Sequence, residues 1–166
     1  MHKRVITALV NDNIGVLNRF SGIVSRAKTN MASITIAQTT CENISRITMV
    51  LEVEDEKTAR HIINQLNNQI DVLEIRDITD ESHLERELAL VQIHSPIEKR
   101  HEVMAIMGPF RGQIVDVAES DIVIQVTGTI EKVEAFLELI KPYGIKRIAR
   151  TGISGFTRFA DSESRL

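Results

Sequence analysis

The residues with most chemical promise lie together near the start of the chain, in Val10-Asn11-Asp12-Asn13-Ile14-Gly15-Val16-Leu17. This stretch puts polar side chains and a glycine at a helix start. A helix N-terminus leaves several backbone N–H groups without partners and carries a partial positive charge, so a carboxylate fits there. Gly15 lets that carboxylate approach the backbone with no Cβ in the way, and Asp12 can face the ammonium group of the same ligand. A free amino acid carries both charges and meets both ends of such a site. The same residues also suit a plainer role, in which Asn11, Asp12 and Asn13 form a turn and cap the helix; on spacing alone that role is the favoured one. No catalytic set accompanies the loop, which points to a sensor rather than an enzyme.

Other candidates carry less. His94 and His101 have no acidic or thiol companions at metal-ligand spacing, so no metal is expected on this chain. Cys41 falls in a predicted turn without a nearby His, which argues against a nucleophile. Gly108-Pro109-Phe110-Arg111-Gly112 lacks the Gly-Lys-Ser/Thr of a phosphate-binding loop, and Gly152-Ile153-Ser154-Gly155 lacks the spacing of a nucleophile elbow. Arg111, Arg147, Arg150 and Arg158 can meet acidic groups on a partner or stand as ordinary solvated charge.

The loop must be held by elements on both sides, and these occur twice. Residues 3–79 read as strand, helix, strand, strand, helix, strand, and 86–153 read the same way. Val5 to Val10 suits a buried strand. Leu17, Phe20, Ile23, Val24 and Ala27 form one apolar stripe of a helix beginning near Gly15, closed at Lys28-Thr29-Asn30 with Asn30 able to turn left-handed. Met31 to Thr39 alternates, with Met31, Ser33, Thr35 and Ala37 on one face. Ile47, Met49, Leu51 and Val53 share a face of the next strand. Asp55 caps a helix bearing Ala59, Ile62, Ile63 and Leu66, and 70–78 is the fourth strand.

The polar, acidic run at 80–85 reads as a linker between a first domain, 1–79, and a second, 86–166. In the second copy, strand 87–94 leads to Pro96 and a helix that stops before Gly108-Pro109. Strands 113–118 and 122–127 pair, Thr129 caps the helix carrying Val133, Phe136, Leu137 and Ile140, and 145–153 closes the copy. The tail 156–166 reads as frayed. The fold class is α+β, two ferredoxin-like βαββαβ domains in tandem, each with helices on one face of a four-stranded sheet and the other face bare. In the second copy that bare face is expected to include Val123 and Val126. Such a face or a free edge strand predicts an oligomer.

Composition narrows the functions. Among 166 residues, 43% are hydrophobic and 26% charged, with a net charge of -3 and both signs interspersed. That is an ordinary globular mixture without the one-sided basic field that nucleic-acid binding needs. One cysteine forbids an intrachain disulfide and suits a reducing compartment. With no secretion signal and no apolar run of bilayer length, the expected location is cytoplasmic, away from membranes.

The stretch Asn11-Asp12-Asn13-Ile14-Gly15-Val16-Leu17-Asn18-Arg19, followed by Asn30-Met31-Ala32-Ser33-Ile34, resembles the start of an ACT regulatory domain. More closely, it resembles the small regulatory subunits of acetolactate (acetohydroxyacid) synthase. Phe110-Arg111-Gly112-Gln113-Ile114-Val115-Asp116-Val117, Thr127-Gly128, Lys132-Val133-Glu134-Ala135-Phe136 and Ile148-Ala149-Arg150-Thr151-Gly152 extend the resemblance over nearly the whole chain.

The resemblance implies a non-catalytic regulatory subunit without cofactors of its own. Its partner would be a catalytic subunit carrying thiamine diphosphate, Mg and FAD, which it would activate and subject to feedback inhibition by a branched-chain amino acid, valine foremost. It also implies a homodimer through the ACT domains. The effector would sit between two chains, held by Asp12, Gly15 and Val16 of one and by Asn30 and Met31 of the other. Two departures stand out: Asp12 replaces an Asn common in that family, and Arg158-Phe159 replaces its basic-glycine ending.

Three alternatives belong to other classes. An amino-acid-binding ACT sensor of another enzyme would share the loop. A small ferredoxin-like hydrolase would need an Arg and Asn cradle that the sequence does not supply. An RNA-binding module would stack bases on sheet aromatics, and aromatic residues are only 4% of this chain.

Overall fold

The computed structural model describes residues 2–158, which form two compact units. One runs to Leu84 and takes in the chain from Ser154; the other is Glu85–Ile153. In the first unit β1 (His2–Asn11), α1 (Val16–Arg26), β2 (Asn30–Gln38), β3 (Ile44–Val53), α2 (Glu56–Asn67) and β4 (Val72–Asp77) follow in order. They build an antiparallel sheet ordered β2-β3-β1-β4. Ile6, Ala8 and Val10 of β1 and Ile47, Met49, Leu51 and Val53 of β3 meet Val16, Phe20, Ile23 and Val24 of α1 and Ala59, Ile62 and Leu66 of α2 in one core. Period two in the strands and 3.6 in the helices put these side chains on facing surfaces. Asp55 caps α2 as expected, accepting from the Thr58 N–H at 2.7 Å.

The second unit repeats the plan with β5 (His83–His94), α3 (Arg100–Phe110), β6 (Gln113–Val117), β7 (Asp121–Gly128), α4 (Ile130–Ile140) and β8 (Ile145–Thr157), in the sheet order β6-β7-β5-β8. Ala89, Val91 and Ile93 of β5 and Ile122, Ile124 and Val126 of β7 pack with Val103 and Met107 of α3 and Val133, Phe136 and Ile140 of α4. Thr129 caps α4, accepting from the Lys132 N–H at 3.4 Å.

Several expectations change. The linker at 80–85 is half strand, because β5 already begins at His83; acidic composition marks exposure, not the lack of a ladder. β8 continues to Thr157, and its residues from Ser154 go with the first unit, not with a domain 86–166. The tail expected to fray is therefore strand at 156–157; residues 159–166 lie outside the described residues.

The stripe of α1 is led by buried Val16, with Leu17 half-exposed at its edge. Lys28, not Asn30, takes the left-handed position after α1, with φ 53°. The Thr29 N–H reaches the Val24 carbonyl and the Lys28 N–H that of Ser25, a closed helix end. The alternation of β2 slips by one residue between Met31 and Ser33. Ala32 is the extra residue, so Met31 and Ile34 both pack on the core.

α3 runs through Gly108-Pro109 to Phe110. Phe110 packs on the core and its ring lies 5.4 Å from that of Phe136. Pro109 cannot donate to the Ala105 carbonyl one turn back, and Ala105 is exposed, so water can take that place.

The sheet faces also differ from expectation. In the first unit the face away from the helices is not bare: Leu9 is 2% and Val50 2% exposed. The Gly155 N–H donates to Thr48 Oγ1 at 3.4 Å, which lays the end of β8 over that face. In the second unit Val126 is 0% exposed and belongs to the core. Val123 and Val126 are three apart, so a strand turns them to opposite faces.

Phe136→Ala is expected to destabilise the second unit by about 3–5 kcal/mol through the cavity it opens, and the half-exposed Ile148→Ala by no more than about 0.5 kcal/mol. Urea unfolding followed by Tyr143, the single tyrosine in a chain without tryptophan, reads this unit, whose core it packs against.

Candidate functional site

β1 ends at Asn11 and α1 begins at Val16, so the polar loop spans only the gap between them. Gly15 takes φ 86° and ψ 0° at the helix start, without a side-chain cap. Of the plainer reading the turn forms, with the Asn13 N–H on the Asn11 carbonyl and the Asn13 carbonyl accepting from Val16, but no side chain caps α1 and a left-handed Gly15 leads the chain into the helix. The Val16 N–H donates to the Asn13 carbonyl at 3.3 Å and the Arg19 N–H to the Gly15 carbonyl at 3.1 Å. The Gly15 and Leu17 amides carry no hydrogen bond among the described residues. A Cβ on Gly15 would stand 3.3 Å from the Arg19 guanidinium. The loop therefore offers unsatisfied donors, an absent side chain and a cation one helical turn on. All three favour a bound carboxylate.

The loop is pinned from below by Asp71, a residue that no local spacing singles out. Asp71 is buried. One of its carboxylate oxygens accepts from Asn13 Nδ2 at 2.7 Å and the other is paired with the Arg19 guanidinium. Its main-chain carbonyl accepts from the Asn11 N–H at 2.8 Å. The Asn13 hydrogen bond, and after it the charge of Arg19, hold the Asp71 carboxyl below its ordinary value of 3.8 against the opposing effect of burial. Asp12 is exposed, tied through its main-chain N–H to the Asn43 carbonyl at 2.8 Å and through its carboxylate to Gln38 Nε2 at 3.1 Å. Arg19 was legible as a cation four residues beyond Gly15; Gln38 comes from β2 and Asp71 from the turn before β4, and no local pattern marks them.

Asp12, Gly15 and Val16 are together, but Asn30 and Met31 are elsewhere. Asn11 is opposite Ile44 at the start of β3, whereas Asn30 is opposite Glu52 and Met31 opposite Leu51 near its end. Those pairings lie eight residues apart along β3, roughly 26 Å at the rise of a strand. Asn30 Nδ2 donates to Glu52 Oε2 at 2.6 Å, and the Met31 side chain packs against the core. One chain cannot bring these two groups onto one small ligand.

The remaining candidates hold little. Among the described residues no group of three His, Cys, Asp or Glu could hold a metal ion. His94 Nδ1 lies 3.4 Å from Asp121 Oδ1. The central strands β1, β3, β5 and β7 contain no Phe, Tyr or Trp. No helix among the described residues is long and apolar enough to cross a membrane.

Two βαββαβ units in tandem, the first opening on a glycine-led loop at a helix start, define an ACT domain followed by a second ferredoxin-like domain. A family model described as the AHAS small subunit-like ACT domain matches residues 6–74, and one described as the small subunit of acetolactate synthase matches 86–159. The acetolactate synthase small subunit of Bacillus subtilis is 48% identical over 94% of this chain and 91% of its own. That of Mycolicibacterium smegmatis is 36% identical over 92% and 89%. The crystal structure of the acetolactate synthase small subunit from Thermotoga maritima superposes with a TM-score of 0.85 at 30% identity, covering 96% of this chain and 99% of that one. The chain belongs to the family of acetolactate synthase small subunits.

Asp71→Asn is expected to lower hydrogen-exchange protection of the amides from Asn11 to Asn13. Because the folded carboxyl titrates below 3.8, its contribution is fully present above the unfolded value. It is lost as pH falls through the lower, folded one. Protection factors in the unmodified chain should therefore drop below pH 3.8, whereas those of the Asn variant should show no such step.

Proposed function

We propose that this chain is the non-catalytic regulatory subunit of acetolactate synthase. It raises the activity of the catalytic subunit and makes it sensitive to a branched-chain amino acid, valine first among them. The observation that carries this reading is the loop at the start of α1 in a chain 48% identical to a named small subunit. Thiamine diphosphate, Mg and FAD belong, in this reading, to the catalytic subunit. The natural setting is the cytoplasm, where branched-chain amino acids are made.

The effector's carboxylate docks beside Val16 on the free amides of Gly15 and Leu17, with Arg19 alongside, and Asp12 faces its ammonium group. Asn30 and Met31 come from a second chain, so the sensing unit is a homodimer through the ACT domains. The strand order supports a way to build it. β2 is an edge, paired on one side only among the described residues. An isologous antiparallel pairing of two β2 strands would set Asn30 of one copy beside Gln38 of the other, and Gln38 holds Asp12. Binding to that seam shifts the assembly only by the effector's preference for the inhibited arrangement, typically about 1–3 kcal/mol.

Gly15→Asp places bulk and negative charge where the carboxylate docks. The variant is expected to activate the catalytic subunit normally but to abolish inhibition by valine, while Asn30→Ala weakens inhibition and spares activation. Calorimetry of the chain against valine, leucine and isoleucine ranks the effectors. Full valine sensitivity in the Gly15→Asp complex would refute the site; failure of the chain to activate or copurify with a thiamine-dependent synthase would refute the function.

A further inference from the structure

We propose that the second unit carries a pocket for a small multivalent oxyanion, a metabolite bearing phosphate or several carboxylates. It lies between the start of β5, the turn from α3 to β6 and the start of α4, and encloses about 390 Å³. Arg86, Arg111 and Lys132 line it, and no acidic side chain does. This assignment does not depend on the effector loop of the first unit.

The charges gathered at the pocket are of one sign. Elsewhere in the same unit Arg150 grips Glu87 through two bonds of 2.7 Å and reaches Glu134, Lys146 lies 2.7 Å from Asp121, and Lys141 sits 3.5 Å from Glu138. Arg86, Arg111 and Lys132 form no ion pair among the described residues. Three cations converging on one concavity repel one another, and a bound anion relieves that repulsion while gaining charge-assisted hydrogen bonds.

Two backbone features serve this convergence. Arg111 is held at φ 54° and ψ 37°, the left-handed position after α3. Glycine or asparagine takes that position at lower cost, so an arginine there is a strained choice of the kind that collects at binding sites. Gly128 makes room for Lys132. A Cβ there would come within 2.6 Å of Lys132 Cδ, so only a glycine lets the lysine stem fold over β7 and bring Nζ to the Thr127 carbonyl at 3.3 Å. Gln113, Gln125 and Thr127 add neutral polar groups to the wall. The volume suits a small ligand rather than an extended chain.

The test is a titration of the isotope-labelled full chain with inorganic pyrophosphate and, separately, with citrate, at constant ionic strength. Saturable one-to-one binding is expected, with amide shifts confined to the turn at Arg111 and the stretch from Thr127 to Lys132. The tighter of the two anions identifies phosphate or carboxylate as the source. Arg111→Gln and Lys132→Gln should each weaken binding by about ten-fold without lowering the melting temperature of the free chain. Gly128→Ala, which keeps every charge but displaces Lys132, should weaken it as well. Shifts that never saturate, or affinities unchanged in all three variants, would overturn the assignment.

Discussion

A single strand sets the distance between the two halves of the proposed effector site. β3 extends from Ile44 to Val53 and pairs with β1 on one side and β2 on the other. Its register keeps the loop at the start of α1 near one end and Asn30 near the other. Backbone rise is fixed by covalent geometry, so no loop movement closes that gap within one chain. A ligand that needs both groups needs two chains. Dimerisation in this account is therefore part of the binding site, and not merely a way of covering apolar surface.

The core makes that geometry dependable. Period-two strands and amphipathic helices enclose one dry layer per unit, and close packing resists partial adjustment. On this layer the loop is held by Asp71, which gathers Asn11, Asn13 and Arg19 from one side. A charged ligand docks best on groups that need no rearrangement, and a buried carboxylate satisfied on both oxygens supplies that stiffness. Arg19 pairs with Asp71 through Nη2, and its Nη1 lies close to the space above Gly15. The end of β8 closes the other face of the first sheet through Gly155 and Thr48.

Much of this was legible in the sequence because its signals are local. The stripes of α2 and α4, the caps at Asp55 and Thr129, and the core face of β3 follow from spacing and side-chain chemistry over a few residues. What was not legible arose from tertiary demands. Phe110 packs on the second core and carries α3 past Pro109. The bulge at Ala32 turns both Met31 and Ile34 inward, against strict alternation. His83 and Leu84 join a strand although their neighbours read as linker. In the site, Gly15 announced itself by type and place, while Gln38 and Asp71 come from β2 and the turn before β4. Only the fold brings those two to the loop.

The central claim, a site shared by two chains, is tested most directly by mixing two crippled chains. One carries Gly15→Asp, which blocks the loop; the other carries Asn30→Trp, which blocks the opposite half. Neither homodimer should bind valine by calorimetry. Unfolded and refolded together, they should recover about a quarter of the wild-type capacity, because half of the dimers are mixed and each mixed dimer keeps one intact site of two. Folded, mixed dimers that bind no valine, or full binding by either variant alone, would contradict the account.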